Sequence, residues 1–84
     1  MNQTDGVLKE VGLERFRQNE KWGEQNHDGP FYMASLMEEV GEIAEAILEA
    51  RAGAWPYENI RKEIIQVAAV AVAMAEAYDR GCVR

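Results

Sequence analysis

Glu39, Glu42, Glu63 and Gln66 are the residues of this chain whose types and spacing could hold a hard cation. Within each pair the members stand three positions apart, so on a helix turning about 100° per residue they share one face. Glu39 and Glu42 fall on a stripe with Ser35, Ala46, Ala50 and Gly53, small residues that let a second helix approach closely. Two acids on a closely packed stripe cost desolvation energy unless something positive neutralises them. Gln66 and Glu63 fall on a similar stripe with Asn59, Val70 and Ala77. If the two helices pack antiparallel, three carboxylates and an amide oxygen can converge on one point. Such hard oxygen donors favour Mg2+ or Mn2+ over zinc, and no Cys/His cluster competes with that choice. Glu38, Glu45 and Glu49 fall on another sector without apolar neighbours, the pattern of a solvated face. Spacing alone leaves both metal binding and plain solvation open for Glu39 and Glu42.

The elements that must position these residues are helices. Thr4 or Asp5 can cap a first helix running to about Asn19, with Val7, Leu8, Val11 and Phe16 as a thin apolar stripe weakened by Gly12. Residues 20–30 are polar and rich in breakers and read as a loop, in which Trp22 and His27 stand out. Asp28 suits the cap and Pro30 the first turn of a second helix, from about Phe31 to Ala52, ended by Gly53. Its broad apolar face is Met33, Leu36, Val40, Ile43, Ala44, Ile47 and Leu48. The short connection Ala54-Trp55-Pro56 predicts an antiparallel third helix, from about Tyr57 to Arg80 with Gly81 as its stop. The second half of that helix, Val67 to Ala75, is apolar all round and is expected to be buried on all sides.

Composition sets the outer bounds. Eighty-four residues make a single domain, 1–84, and 48% hydrophobic residues is generous for that size. A core shared between copies is therefore expected: an all-α antiparallel bundle of about three main helices per chain, completed by homo-oligomerisation. The net charge of −6 leaves no basic excess for a nucleic-acid polymer. A small phosphorylated ligand stays compatible, because a bound cation reverses the local sign. The lone cysteine, Cys82, reads as a plain thiol in a reducing compartment. The N-terminal residues lack a signal-peptide pattern, and the apolar run is too short to span a bilayer. A cytoplasmic protein without membrane contact is expected.

The run Glu38-Glu39-Val40-Gly41-Glu42-Ile43-Ala44-Glu45-Ala46 resembles the acidic helix of the MazG-like, all-α nucleoside triphosphate pyrophosphohydrolases. That family carries E-E-x-x-E followed further on by E-x-x-D. Here the first half is Glu38 to Glu42 and the second is Glu63-Ile64-Ile65-Gln66, with glutamine in the aspartate's place. The resemblance covers about residues 31–76. It implies a helical bundle built from dimers (a homodimer or homotetramer) that hydrolyses an NTP or dNTP to the monophosphate and pyrophosphate. Carried over by position, Glu39, Glu42, Glu63 and Gln66 become Mg2+ ligands, and Glu38 an outer-shell acid or the base for the attacking water. For the nucleoside and its phosphates, Trp22, Asn26, Tyr32, Asn59 and Lys62 are the candidates, with Arg17, Lys21 and Arg80 as further cations. The neutral Gln66 leaves a second reading, a noncatalytic nucleotide-binding or assembly module of the same fold.

Overall fold

A computed structural model describes residues 2–51 and 57–81 of the chain. These residues form three helices and no strand: α1 (Gln3–Trp22), α2 (Gly29–Arg51) and α3 (Tyr57–Asp79). The fold is all-α, as the periodicity predicts. Gly53, Ala54-Trp55-Pro56 and Cys82 lie outside the described residues.

The helix ends show which local signals won. The cap of α1 is Asn2 rather than Thr4 or Asp5, its side chain accepting from the Asp5 amide at 2.8 Å. The helix also runs past Asn19 to Trp22, where Gly23 takes φ +73° and donates its N–H to the Asn19 carbonyl. That left-handed φ is open to glycine at little cost, so Gly23, and not the polar character of residues 20–22, sets the stop. As the sequence predicts, Asp28 caps α2, accepting from the Phe31 amide at 2.8 Å. Gly81 likewise follows α3 at φ +73°.

α3 is the central element: α1 and α2 each pack against it and not on one another. Two small apolar clusters set α2 and α3 antiparallel. Tyr32 meets Ala77, Ala73 and Met74 at one end, and Ala46, Ala50 and Ile43 meet Ile60 at the other. The stripe of α2 turned to α3 is therefore Gly29, Tyr32, Ile43, Ala46 and Ala50, small residues with one aromatic. The broader apolar stripe is not that face. Met33, Met37, Val40, Ile47 and Leu48 are exposed, because small side chains, not large ones, permit close helix approach. The expectation of α3 buried on all sides also fails for one chain, and the thin apolar stripe of α1 divides. Ala71, Val72 and Ala75 face solvent, as do Leu8 and Phe16, while Val11 is buried. With only two neighbours, α3 has an uncovered side. The surface of 6032 Å² exceeds the roughly 5,000 Å² expected of a compact monomer of this mass.

Candidate functional site

Because α1 and α2 share a neighbour without touching, a cleft opens between them over α3. Its volume is about 370 Å³. Trp22 on α1 and Phe31 and Tyr32 on α2 form its outer end with His27 of the connecting loop, and Glu14, Glu39 and Gln66 lie further in. The aromatic rings are organised by contact: His27 lies 4.2 Å from Phe31 and edge-on to Tyr32 at 5.5 Å between centroids. Tyr32 donates its hydroxyl to the Gln25 carbonyl at 2.9 Å, which pins the loop to the start of α2. Trp22 keeps a free ring face: it is 56% exposed, with the Lys21 ammonium 4.7 Å from its centroid. From Tyr32 to Glu39 the helix rises about 10 Å, so the cleft has an aromatic end and an acidic end.

Glu39 is the unusual residue at the acidic end. Its Oε2 is buried and makes no hydrogen bond. Burial is the main cause that raises its carboxyl above the ordinary 4.5, and the charges of Glu42, Glu63 and Glu38 add to it in that order. A buried carboxylate oxygen with no partner, among further acids, is costly for the fold to keep. Glu42 and Glu63 line a second hollow of about 170 Å³ along the α2–α3 seam, together with Ala46. Glu45 and Glu49 line it too; Glu45 is exposed, as a solvated face requires, whereas Glu49 is half-buried. Among the described residues no group of three or more acid, His or Cys side chains stands close enough to hold a metal ion. Glu39 and Gln66 thus line one hollow and Glu42 and Glu63 another, although the charges of Glu42 and Glu63 both reach Glu39.

The remaining sequence candidates divide. Trp22 and Tyr32 line the cleft. Asn26 does not; its amide donates to Glu24 and its carbonyl accepts from Arg80. Asn59 is exposed on α3 and is not in the cleft wall. Lys62 borders a third hollow with Glu58, Arg61 and Ile65, one that also reaches Gln66. Arg17 pairs with Glu14 at 2.9 Å, and Arg80 holds Asn26 and the Gln25 carbonyl. Glu38 is exposed beside Glu39.

Several polar cleft residues escape the sequence reading, among them Glu14, Arg15, Gln18 and Asn19. Glu14 is 9% exposed and Arg15 half-buried, both on α1. Glu14 follows Val7 and Val11 at helical spacing, so the apolar stripe itself pointed to it. Arg15 lies one position off that stripe and carried no such signal.

None of the described helices is long and apolar enough to cross a membrane. No family model, curated protein or solved structure matches this chain.

Proposed function

We infer that this chain is a Mg2+-dependent nucleotide pyrophosphohydrolase, cleaving an NTP or dNTP to the monophosphate and pyrophosphate. The observation that carries the reading is the orphaned, buried Oε2 of Glu39 at the inner end of an aromatic-walled cleft, with Glu42, Glu63 and Glu38 around it. The acidic run of α2 and its likeness to the MazG-like pyrophosphohydrolases supply the reaction class.

The donor set fits Mg2+ or Mn2+, since it is all oxygen. Mg2+ usually takes one or two carboxylates and completes its shell with water and substrate phosphates. The separation of the acids into two hollows is compatible with that habit. Glu39 and Glu42 are the first choice of ligands, with Glu63 and the Gln66 carbonyl beside them. When bound, the cation neutralises triphosphate charge and lowers the pKa of a coordinated water. The chain's own tasks are then positional. Trp22 and Tyr32 offer ring surface for the base. Glu38, exposed next to Glu39, accepts a proton from the water attacking the α-phosphorus as the bond to the β-phosphate oxygen breaks.

A second reading keeps the cleft and drops turnover: a nucleotide-binding or assembly module. It is favoured by Gln66 in the aspartate's place and by the lack of a three-acid group among the described residues. Products from a panel of NTPs and dNTPs with Mg2+ or Mn2+ separate the two. Monophosphate with pyrophosphate, lost in Glu42→Gln, supports the enzyme. Nucleotide-dependent stabilisation without product supports the binding module, and indifference to nucleotide and metal sinks both.

The exposed stripe Met33, Met37, Val40, Ile47 and Leu48 is assigned to a second copy, giving a homodimer or homotetramer. Sedimentation of the wild type against Leu48→Glu tests this. A monomeric wild type ends it.

A further inference from the structure

The wall of the cleft on α1 carries two amides whose direction is fixed. Arg15 donates from Nη1 to Gln18 Oε1 at 3.0 Å and from Nη2 to Asn19 Oδ1 at 3.1 Å. It is itself anchored to α3, Nη2 and Nε both donating to Glu76 Oε1, at 2.6 and 3.1 Å, with its side chain only 14% exposed. A guanidinium has donors and no acceptor. The atoms facing it must therefore be the amide oxygens, and the two NH2 groups are turned away from it. Both Gln18 and Asn19 line the cleft at the aromatic end, beside Trp22.

This arrangement removes a common ambiguity. A free Asn or Gln amide reads adenine by offering one donor and one acceptor together. Here each amide oxygen already accepts from Arg15, and the NH2 groups are the donors that the pair has left to offer a base bound in the cleft. Arg15 is not available to phosphate, because Glu76 already neutralises it. The Tyr32 hydroxyl is spent on the Gln25 carbonyl and adds no donor.

We propose that Gln18 and Asn19, oriented by Arg15, make the cleft select a nucleobase edge with two adjacent acceptor atoms. Cytosine (N3 and O2) and guanine (N7 and O6) present such an edge. Uracil and thymine place an N–H between their carbonyls, and adenine sets an amino group beside each acceptor on its outer edges. The proposal rests on the nucleotide reading above and adds the substrate class. Arg15 is a positioning residue in it, and Gln18 and Asn19 are the specificity determinants.

Equilibrium binding of the α,β-imido analogues of CTP, GTP, UTP and ATP to the full chain with Mg2+ tests it. The CTP or GTP analogue should bind about 10- to 100-fold more tightly than the UTP and ATP analogues, the usual worth of a good paired contact to a base. Which of the two leads tells which base is the source of the acceptor edge. Gln18→Glu and Asn19→Asp keep an oxygen toward Arg15 and replace the outward donor by an acceptor. They should weaken the CTP or GTP analogue more than the UTP and ATP analogues and so erase the preference. Equal affinity for all four, a lead for UTP or ATP, or a preference that survives both substitutions overturns the proposal and leaves the nucleotide reading standing. Binding of none of the four overturns the nucleotide reading itself and the proposal with it.

Discussion

The two seams along α3 handle charge in opposite ways. On the α1 side acids are met by arginines. Arg61 bonds Glu10 at 2.7 and 2.9 Å, Arg15 bonds Glu76, and Arg17 bonds Glu14. On the α2 side, Glu38, Glu39, Glu42, Glu45, Glu49 and Glu63 form no ion pair with a described lysine or arginine, and Glu39 Oε2 has no hydrogen bond at all. One helix thus meets α1 through matched charges and α2 through small side chains flanked by unmatched ones. The first arrangement is complete in the chain alone; on the function proposed above, a cation would complete the second. Charge density by itself teaches little, since both seams are rich in acid. What distinguishes a site from a surface is whether the neutralising partner is in the sequence.

The largest effect should come from removing a charge on the unmatched side. If Glu42 helps hold Mg2+, Glu42→Gln should lower kcat/KM for nucleotide hydrolysis by about 100-fold or more, since even outer-shell changes at metal sites cost 10- to 100-fold. It should also abolish stabilisation by Mg2+ in a melting experiment. Activity near wild type with intact metal stabilisation would remove Glu42 from the site. On the matched side the largest effect belongs to Arg15, which ties α1 to α3 and sets two amides. Arg15→Ala should destabilise the chain by about 1–2 kcal/mol in denaturant unfolding. An unchanged midpoint would mean that the α1 seam draws its stability from Val11 and its apolar neighbours instead.

How much of this was legible beforehand differs between the seams for a physical reason. The helix count, the Asp28 cap and the antiparallel α2–α3 pair follow from periodicity and breakers, which are local properties. The stripe of small residues around Glu39 could be read from spacing, and two of its members, Ala46 and Ala50, do pack against Ile60 of α3. Periodicity misled where it met two apolar stripes on one helix. The larger, Met33 to Leu48, looks like the core, but close packing needs small residues, and Ala46 and Ala50 took that role. The separation of Glu39 from Glu42 and Glu63 into neighbouring hollows depends on axial offset between helices, which no single helix encodes. The amide wall of the cleft was invisible for the same reason. Gln18 and Asn19 acquire a direction only because Arg15 reaches Glu76, 61 positions away.

Glu39 supplies a smaller effect with a defined sign. Its carboxyl titrates above the ordinary 4.5 in the folded chain, so the folded state binds that proton more tightly than the unfolded one. Stability from this group is full below pH 4.5 and is lost as pH rises through the raised folded value. Metal-free protein should accordingly lose stability across that window. Added Mg2+ should restore it above the window, because a bound cation replaces the proton. Glu39→Gln, unable to ionise, should flatten the profile and raise metal-free stability near neutral pH, by on the order of 1 kcal/mol. A wild-type profile that stays flat across the window would show that Glu39 is already solvated, and the contrast between the seams would weaken.

The smallest effect tests whether the matched seam depends on its charges. Arg61 and Glu10 make a two-pronged pair in which both side chains are about half exposed. The hydrogen bonds from Arg61 hold the Glu10 carboxyl below its ordinary 4.5. Its contribution is therefore present above pH 4.5 and is lost as pH falls through the lowered folded value, the reverse of Glu39. Water and salt both screen so exposed a pair, so Arg61→Ala should lower the melting midpoint only slightly at low ionic strength. In molar salt, where the screening length falls to about 3 Å, the difference should vanish. A loss that persists in molar salt would mean that the aliphatic stem of Arg61, rather than its charge, holds α1 against α3. In that case the α1 seam is a packing interface with charged tips, and only the pairs at Arg15 and Arg17 still set it apart from the α2 side.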